Sequence, residues 1–289
     1  MNRFITILLL SVATGSIAQT RVVDRAIVKM QTEMTFPENM GSRGGGPMGG
    51  DGERIVMMGG PGGMESATTV FYKGDMTKMA STSDFGNNIV ITDRKSGRTT
   101  TLIEAMGRKT GFYSTPEDEA AMRGRGDSLR EARRDSLQKL GIPVAAPRKP
   151  EVELTNETKK IAGYTCKKAI VKTGGGQGGQ RSQSSVMEVW YTPDFKLAGG
   201  FTVPGLGGGP GRGMMGGGMS GLEQIEGFPM EVSMERSNGM KMHMVVSKVQ
   251  VDADISDKEF EIPKGFDVKP MSEMMNRGGG RTMIMRVEN

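Results

Sequence analysis

The chain of 289 residues contains one cysteine and one histidine, and its formal net charge of +5 arises from 38 basic and 33 acidic residues. A single cysteine excludes an internal disulfide, so a packed core must stabilise the fold. The chain also contains 44 glycines and 26 methionines, while aromatic residues make up 5%. Methionine, which is flexible and polarizable, therefore stands where leucine is usual.

The first 18 residues have the three parts of a secretory signal. Arg3 precedes an apolar run from Phe4 to Val12, and small residues ending at Ala18 form the cleavage site. The run is too short for a permanent membrane anchor, which needs about 20 residues. We expect cleavage after Ala18 and a soluble periplasmic protein. No cysteine near this site supports a lipid anchor.

Alternation with a period of two predicts short strands along the chain. In the first run, Val28, Met30, Met34 and Phe36 fall on one face and polar residues on the other. Similar runs lie at 67–81, 87–95, 98–106, 164–173, 186–192, 228–236, 240–252 and 258–266. The pattern predicts a mainly β fold with one antiparallel sheet of many strands.

Glycine-rich segments interrupt these runs. They predict flexible loops at 41–66, 174–185 and 205–221 and a C-terminal tail at 276–289. The remaining residues are few enough for one domain, which we place at 19–275.

One helix is predicted at residues 115–141. Thr115 is the expected N-cap, Pro116 lies in the first turn, and Gly141 ends the helix. We expect Gly124 and Gly126 to split it into two pieces. Its apolar stripe is weak, which indicates a position on the surface or across an opening.

The hairpin near the C-terminus has a register that its own side chains restrict. A two-residue loop would put the apolar rows of its two strands on opposite faces. A three-residue loop, 237–239, places Met234 opposite Met242 and Val232 opposite Met244. We therefore predict the three-residue loop.

Known catalytic and phosphate-binding patterns are missing from the sequence. The glycine-rich loops lack the lysine and the following helix that phosphate binding needs. His243 is predicted on the polar face of a strand, and Cys166 is expected to be a buried, inert thiol. We predict a protein that is not an enzyme, has no cofactor and binds no nucleic acid.

Clustered methionines leave an alternative open. Thioethers select Cu(I), and sequences such as MKMHM, 240–244, bring sulfurs together. Same-face residues along one strand are about 6.6 Å apart, so three such sulfurs do not meet at one ion without bending. A methionine-lined core or cavity is the favoured interpretation.

Four short sequences carry a resemblance. NETKKIAGYTCKKAIV, EVWYTPDF, GFPMEVSM and DKEFEIPKGFDVKPM, within residues 152–271, resemble an exported Gram-negative family of unknown function that is related to the LolA/LolB lipoprotein carriers. A weaker similarity, VPGLGGG at 203–209, is to the GLPGLI group. The resemblance implies a LolA-like fold, that is, a curved antiparallel sheet or incomplete β-barrel with a helical lid.

The resemblance also implies that a lipid-like ligand is carried without catalysis. We predict a hydrophobic ligand in a concave β cavity, with an envelope lipoprotein or a membrane surface as a further partner. The predicted ligand-binding residues are Met230, Val232, Met234, Met240, Met242 and Met244. A soft-metal protein and a structural envelope protein without a small ligand are the alternatives, and the oligomeric state is left open.

Overall fold

The computed structural model describes residues 19–37, 63–141, 149–173, 185–201, 221–236 and 239–273. The strands are β1 (Arg21–Val23), β2 (Arg25–Thr35), β3 (Met64–Lys73), β4 (Met76–Ser83), β5 (Gly86–Asp93), β6 (Arg98–Ala105), β7 (Arg108–Ser114), β8 (Glu151–Ile161), β9 (Tyr164–Thr173), β10 (Ser185–Thr192), β11 (Phe195–Leu197), β12 (Phe228–Arg236), β13 (Lys241–Val251) and β14 (Val268–Pro270). One α-helix, α1, spans Pro116–Lys139, and two 3₁₀ helices span Leu222–Gln224 and Asp257–Phe260.

Twelve of these strands form one sheet in the order β14-β7-β6-β5-β4-β3-β2-β13-β12-β10-β9-β8. The predicted mainly β fold is confirmed: the sheet is large, curved and not closed. Its strand pairs are antiparallel, except that β14 pairs with β7 in parallel. The short strands β1 and β11 form a separate parallel pair.

Three register shifts interrupt the ladders of the sheet. They lie between Trp190 and Tyr191 in β10, between Val246 and Lys248 in β13, and between Leu154 and Thr158 in β8. A β-bulge bends its strand and increases the local twist. These shifts therefore contribute to the curvature of the sheet.

The hairpin of β12 and β13 has the predicted register. Met234 lies opposite Met242 and Val232 lies opposite Met244. Gly239 has a φ of 84°, the left-handed conformation that the three-residue loop requires. Residues 237 and 238 of the loop lie outside the described residues.

The helix begins where the sequence predicts. The Thr115 side chain accepts a hydrogen bond from the Asp118 backbone, and the Asp118 carboxylate accepts one from the Thr115 backbone. The predicted split at Gly124 and Gly126 is wrong, because α1 is continuous over 24 residues. Each glycine costs only about 1 kcal/mol in a helix, which is not enough to force a break.

No described side chain of α1 is buried: Leu129 is 72% exposed, and the C-cap residue Leu140 is 70% exposed. A lid needs an apolar face packed against what it covers, and α1 presents no such packed face in the described chain. None of the described helices is long and apolar enough to cross a membrane.

The segment that follows β13 lies against β3 and β4. Lys73 of β3 donates to the Ile255 carbonyl oxygen at 2.8 Å and pairs with Asp257 at 2.6 Å, and Lys78 of β4 pairs with Glu259 at 3.2 Å. The strand predicted at 258–266 is wrong, because its first residues belong to a 3₁₀ helix. The strand in this segment, β14, lies further along the chain.

Alternation also missed some strands. The alternation of apolar and polar residues did not predict β7 or β8. Gly111 interrupts the pattern in β7, and β8 is polar on both faces around Asn156. The predicted loops at 41–66 and 174–185 extend too far, since β3 begins at Met64 and β10 at Ser185. The rest of these loops, residues 205–220, the signal segment 1–18 and the tail 276–289 lie outside the described residues.

Candidate functional site

One face of the sheet carries no charged side chain from β13 across β2 to β6. Directly opposed residues share a face, and residues alternate between faces along each strand. By this rule the face consists of Met242, Met244, Val246, Val249, Val251, Ala26, Val28, Met30, Thr32, Met34, Met64, Ser66, Thr68, Val70, Tyr72, Thr77, Met79, Ser81, Ser83, Gly86, Asn88, Val90, Thr92, Thr99, Thr101, Ile103 and Ala105. We call it the uncharged face. The opposite, charged face of the same strands holds Lys29, Glu33, Glu65, Lys73, Lys78 and Lys241.

Five methionines form one line that begins on β10 and β12 and continues onto the uncharged face. Met187 lies opposite Met234, which lies opposite Met242, and Met34 and Met64 continue the line onto β2 and β3. The β-carbons of directly opposed residues are about 4.5–5.5 Å apart. Neighbouring side chains of this methionine row can therefore contact each other.

All six predicted ligand-binding residues lie in the hydrophobic core. Met230, Val232, Met234, Met240, Met242 and Met244 are each at most 3% exposed. Val232 and Met234 of β12 lie opposite Met244 and Met242 and so share their side of the sheet, as the sequence predicts. Such burial leaves no space for water beside these side chains, so a ligand binds among them only if they move.

A second line, of hydroxyl groups, crosses the other end of the uncharged face. Tyr72 lies opposite Thr77, Thr77 opposite Thr92, Thr92 opposite Thr99, and Thr99 opposite Ser114. We call these five residues the hydroxyl row. Within it, the Thr92 and Thr99 hydroxyls are 3.4 Å apart and hydrogen-bonded.

The two ends of the hydroxyl row are buried and unpartnered. Tyr72 is 6% exposed and Ser114 is fully buried, and neither hydroxyl has a hydrogen-bond partner in the described chain. Asn88 Oδ1, on the same face, is also buried and has no hydrogen-bond partner among the described residues. Burial raises the pKa of Tyr72, so its hydroxyl stays protonated.

The charged face carries a network around the single tryptophan. Trp190 donates to Glu188 at 3.0 Å, and Lys168 pairs with Glu188 at 3.1 Å. His243 Nε2 lies 3.4 Å from Glu231 Oε1 and is close to half exposed. In the described ranges, no group of three or more His, Cys, Asp and Glu residues is arranged to hold a metal.

A groove of about 490 Å³ lies beside the turn end of the β12–β13 hairpin. It is lined by Glu33, Thr35, Val186, Glu188, Ser233, Met234, Glu235, Lys241, Met242 and His243. Most of these side chains belong to the charged face, and only two of the six predicted ligand-binding residues are among them. The groove therefore differs from the apolar cavity that the sequence predicts.

Cys166 is fully buried, and its thiol donates to the Tyr164 carbonyl oxygen at 3.6 Å. Burial raises the pKa of the thiol from 9.0 to about 11. Because the thiolate is the reactive form, this cysteine is a poor nucleophile at neutral pH.

A family model described as the N-terminal domain of the N-glycanase peptide (PNGase_F-II_N) matches residues 142–209, less than a quarter of the chain. No curated protein matches. Among solved structures, PNGF-II in the C2 space group is similar at 14% identity over 88% of this chain and 32% of that one, with a TM-score of 0.36. The present chain thus spans about a third of the length of that structure.

Two other solved structures are similar at lower identity. MucB in complex with MucA(peri) shares 11% identity over 82% of this chain and 55% of that one, with a TM-score of 0.34. A putative outer membrane lipoprotein-sorting protein domain from Vibrio parahaemolyticus shares 8% identity over 82% of this chain and 89% of that one, with a TM-score of 0.23. A lipoprotein-sorting domain is therefore among the solved structures that match this chain. At these values the likeness carries no conclusion about ligands.

The sequence analysis missed the hydroxyl row. Its signal is present as serine and threonine at alternate positions, as in Thr77, Ser81 and Ser83 of β4. Alternation identifies which residues of one strand share a face. It does not show which strand lies alongside, so the row becomes visible only with the registers.

Proposed function

We propose that the protein is a non-enzymatic periplasmic protein that binds a lipid-like molecule on the uncharged face. The observation that carries the proposal is the lack of charged side chains on that face over six neighbouring strands. Burying an unpaired charge is costly, whereas each buried methylene group of an acyl chain contributes about 0.8 kcal/mol. Such a surface suits an acyl chain.

The methionines supply the adaptability that ligand entry requires. The core residues Met30, Met230, Met242 and Met244 are almost fully buried. Methionine has three rotatable side-chain bonds and fills irregular gaps. A β-branched core would resist rearrangement, because those side chains are stiff at χ1. We infer that the methionine side chains repack around an incoming chain.

Two neighbouring asparagines on opposite faces of β5 give a matched test. Asn88 lies on the uncharged face and is partly buried, and Asn87 lies exposed on the charged face. Native mass spectrometry with lipid extraction would be applied to wild type, Asn88→Lys and Asn87→Lys purified from the envelope. We expect about one lipid per chain in wild type and Asn87→Lys, and at least about tenfold less in Asn88→Lys, because the lysine introduces a charge.

Thermal unfolding of both variants would verify that they are folded. Wild type without lipid, or Asn88→Lys with as much lipid as Asn87→Lys, would contradict the proposal.

The methionine row favours a second candidate, Cu(I) binding. Thioethers are suitable Cu(I) ligands, and opposed strands bring these side chains closer together than neighbouring positions on one strand do. The test variant replaces Met34, Met234 and Met242 by leucine, and its control replaces Met30, Met79 and Met230, which lie outside the row. In competition with a chromogenic Cu(I) chelator, we expect one ion per chain in wild type and control and none in the row variant. Equal loss in both variants would contradict a site in the row.

A further inference from the structure

The hydroxyl row has an unusual property for a buried polar cluster: its two ends lack partners. Most buried polar groups in native proteins are hydrogen-bonded to protein, water or ligand. Tyr72 is only 6% exposed and Ser114 is fully buried, yet neither hydroxyl has a hydrogen-bond partner in the described chain. Leaving such a group unpaired costs about 1–3 kcal/mol. These hydroxyls can therefore bind polar atoms that the described part of the chain does not supply.

The surroundings define the chemistry of those polar atoms. No charged side chain lies on the uncharged face of β3, β4, β5 or β6, and Arg108, at the first position of β7, is at the margin of this face. An ionised headgroup would lose its hydration here without gaining a counter-charge. Hydroxyl groups both donate and accept hydrogen bonds, which suits uncharged alcohols and esters.

An apolar row lies directly beside the hydroxyl row. Val28, Val70, Met79 and Val90 oppose one another in succession, two residues along each strand from the hydroxyl side chains of β3, β4 and β5. All four are buried. Two residues along a strand correspond to about 7 Å, roughly the separation of a headgroup from the first methylene groups of its chain. Polar and apolar binding surfaces are thus adjacent.

We propose that the hydroxyl row binds the uncharged, hydrogen-bonding headgroup of an amphiphile, and that the protein selects neutral lipids over ionised ones. The inference rests on the proposed function, because it assigns a headgroup site to the ligand whose acyl chain lies on the same face. The row spans five strands, about 19 Å, enough for a glycerol or a sugar headgroup.

The test compares two amphiphiles with the same chain. Binding of monodecanoylglycerol and of decanoate to the delipidated full chain would be measured by calorimetry at pH 8, below the micelle concentration of each. We expect wild type to bind the glyceride at least about tenfold more tightly, as one or two hydrogen bonds without a charge penalty imply.

Variants locate the selectivity. In Tyr72→Phe/Ser114→Ala we expect the preference to fall below about threefold through weaker glyceride binding, with decanoate binding unchanged. Tyr113→Phe is the matched control, because Tyr113 lies on the opposite face of the sheet. There the Arg98 guanidinium carbon lies 4.0 Å from the centroid of the Tyr113 ring. Because the removed hydroxyls have no partner in the described chain, we expect the double variant to keep the thermal stability of wild type. Ser114→Ala alone provides a milder variant.

Each outcome decides a different point. Equal or tighter binding of decanoate, or a preference that survives in the double variant, would overturn the headgroup site while leaving lipid binding in place. Binding of neither amphiphile would overturn the proposed function and the headgroup site together.

Discussion

Lys159 lies over the ring of Trp190, with its Nζ 4.2 Å from the ring centroid, and the same Nζ is 2.7 Å from Glu231 Oε2. One ammonium group thus connects the edge strand β8 to β10 and β12. Lys159 is about one-third exposed and Glu231 is mostly buried, so solvent screens the ion pair only in part.

We expect Lys159→Met to lower the free energy of unfolding by about 1 kcal/mol. The methionine keeps most of the apolar stem but loses the cation–π contact and the ion pair, each worth up to about 1 kcal/mol when partly exposed. Lys160→Met is the matched control, since Lys160 is exposed on the other face of the same strand. Urea unfolding would measure both, and an equal effect of the two substitutions would contradict a specific role for Lys159.

Glycines in two environments should respond oppositely to alanine. A β-carbon at Gly124 or Gly126 of α1 would meet no atom within 4 Å. Alanine there should raise the stability of the helix by about 0.5–1 kcal/mol per site, because glycine loses more conformational freedom on folding. A β-carbon at Gly86 would lie 2.2 Å from the Glu104 carbonyl oxygen, at a φ of +130°.

Gly86→Ala should therefore be strongly destabilising, whereas Gly124→Ala/Gly126→Ala should increase helicity. Circular dichroism and hydrogen exchange of α1 would measure the gain. Loss of helicity in the double variant would mean that the two glycines serve a bend that the structure does not contain.

Local patterns predicted the features that one strand pair or one turn decides. The register of β12 and β13 follows from the requirement that Met234 and Met242 share a face, and the helix start follows from Thr115 and Pro116. The methionine row also needs β13 to lie beside β2, which is about 200 residues away in sequence. No periodicity within a strand identifies its distant neighbour, so neither row could be predicted.

The misassigned strand at 258–266 has a similar explanation. Phe260 and Ile262 alternate with charged residues as in a strand. In the structure, the Ser256 side chain caps a 3₁₀ helix, and Lys73 and Lys78 bind its acidic residues from outside the segment. Contacts with distant strands thus outweigh the local pattern.

Cys166 should make stability depend on pH in the alkaline range. Burial raises the pKa of its thiol from 9.0 to about 11, so the folded protein holds the proton more tightly than the unfolded chain does. The contribution of the protonated thiol to the free energy of unfolding is fully present below pH 9. It is lost as the pH rises through 11, because ionisation of the thiol then stabilises the unfolded state. A two-unit difference corresponds to an upper limit of about 2.7 kcal/mol.

Urea unfolding of wild type and Cys166→Ala at pH 8, 9.5 and 11 would measure the effect. The variant lacks the thiol, so the titrations of other groups, common to both proteins, cancel in the difference. We expect the stability of wild type to fall by about 2 kcal/mol more than that of the variant between pH 8 and 11. Parallel curves would mean that the thiol ionises equally in the folded and unfolded chains, and would refute the buried, protonated state on which its low reactivity depends.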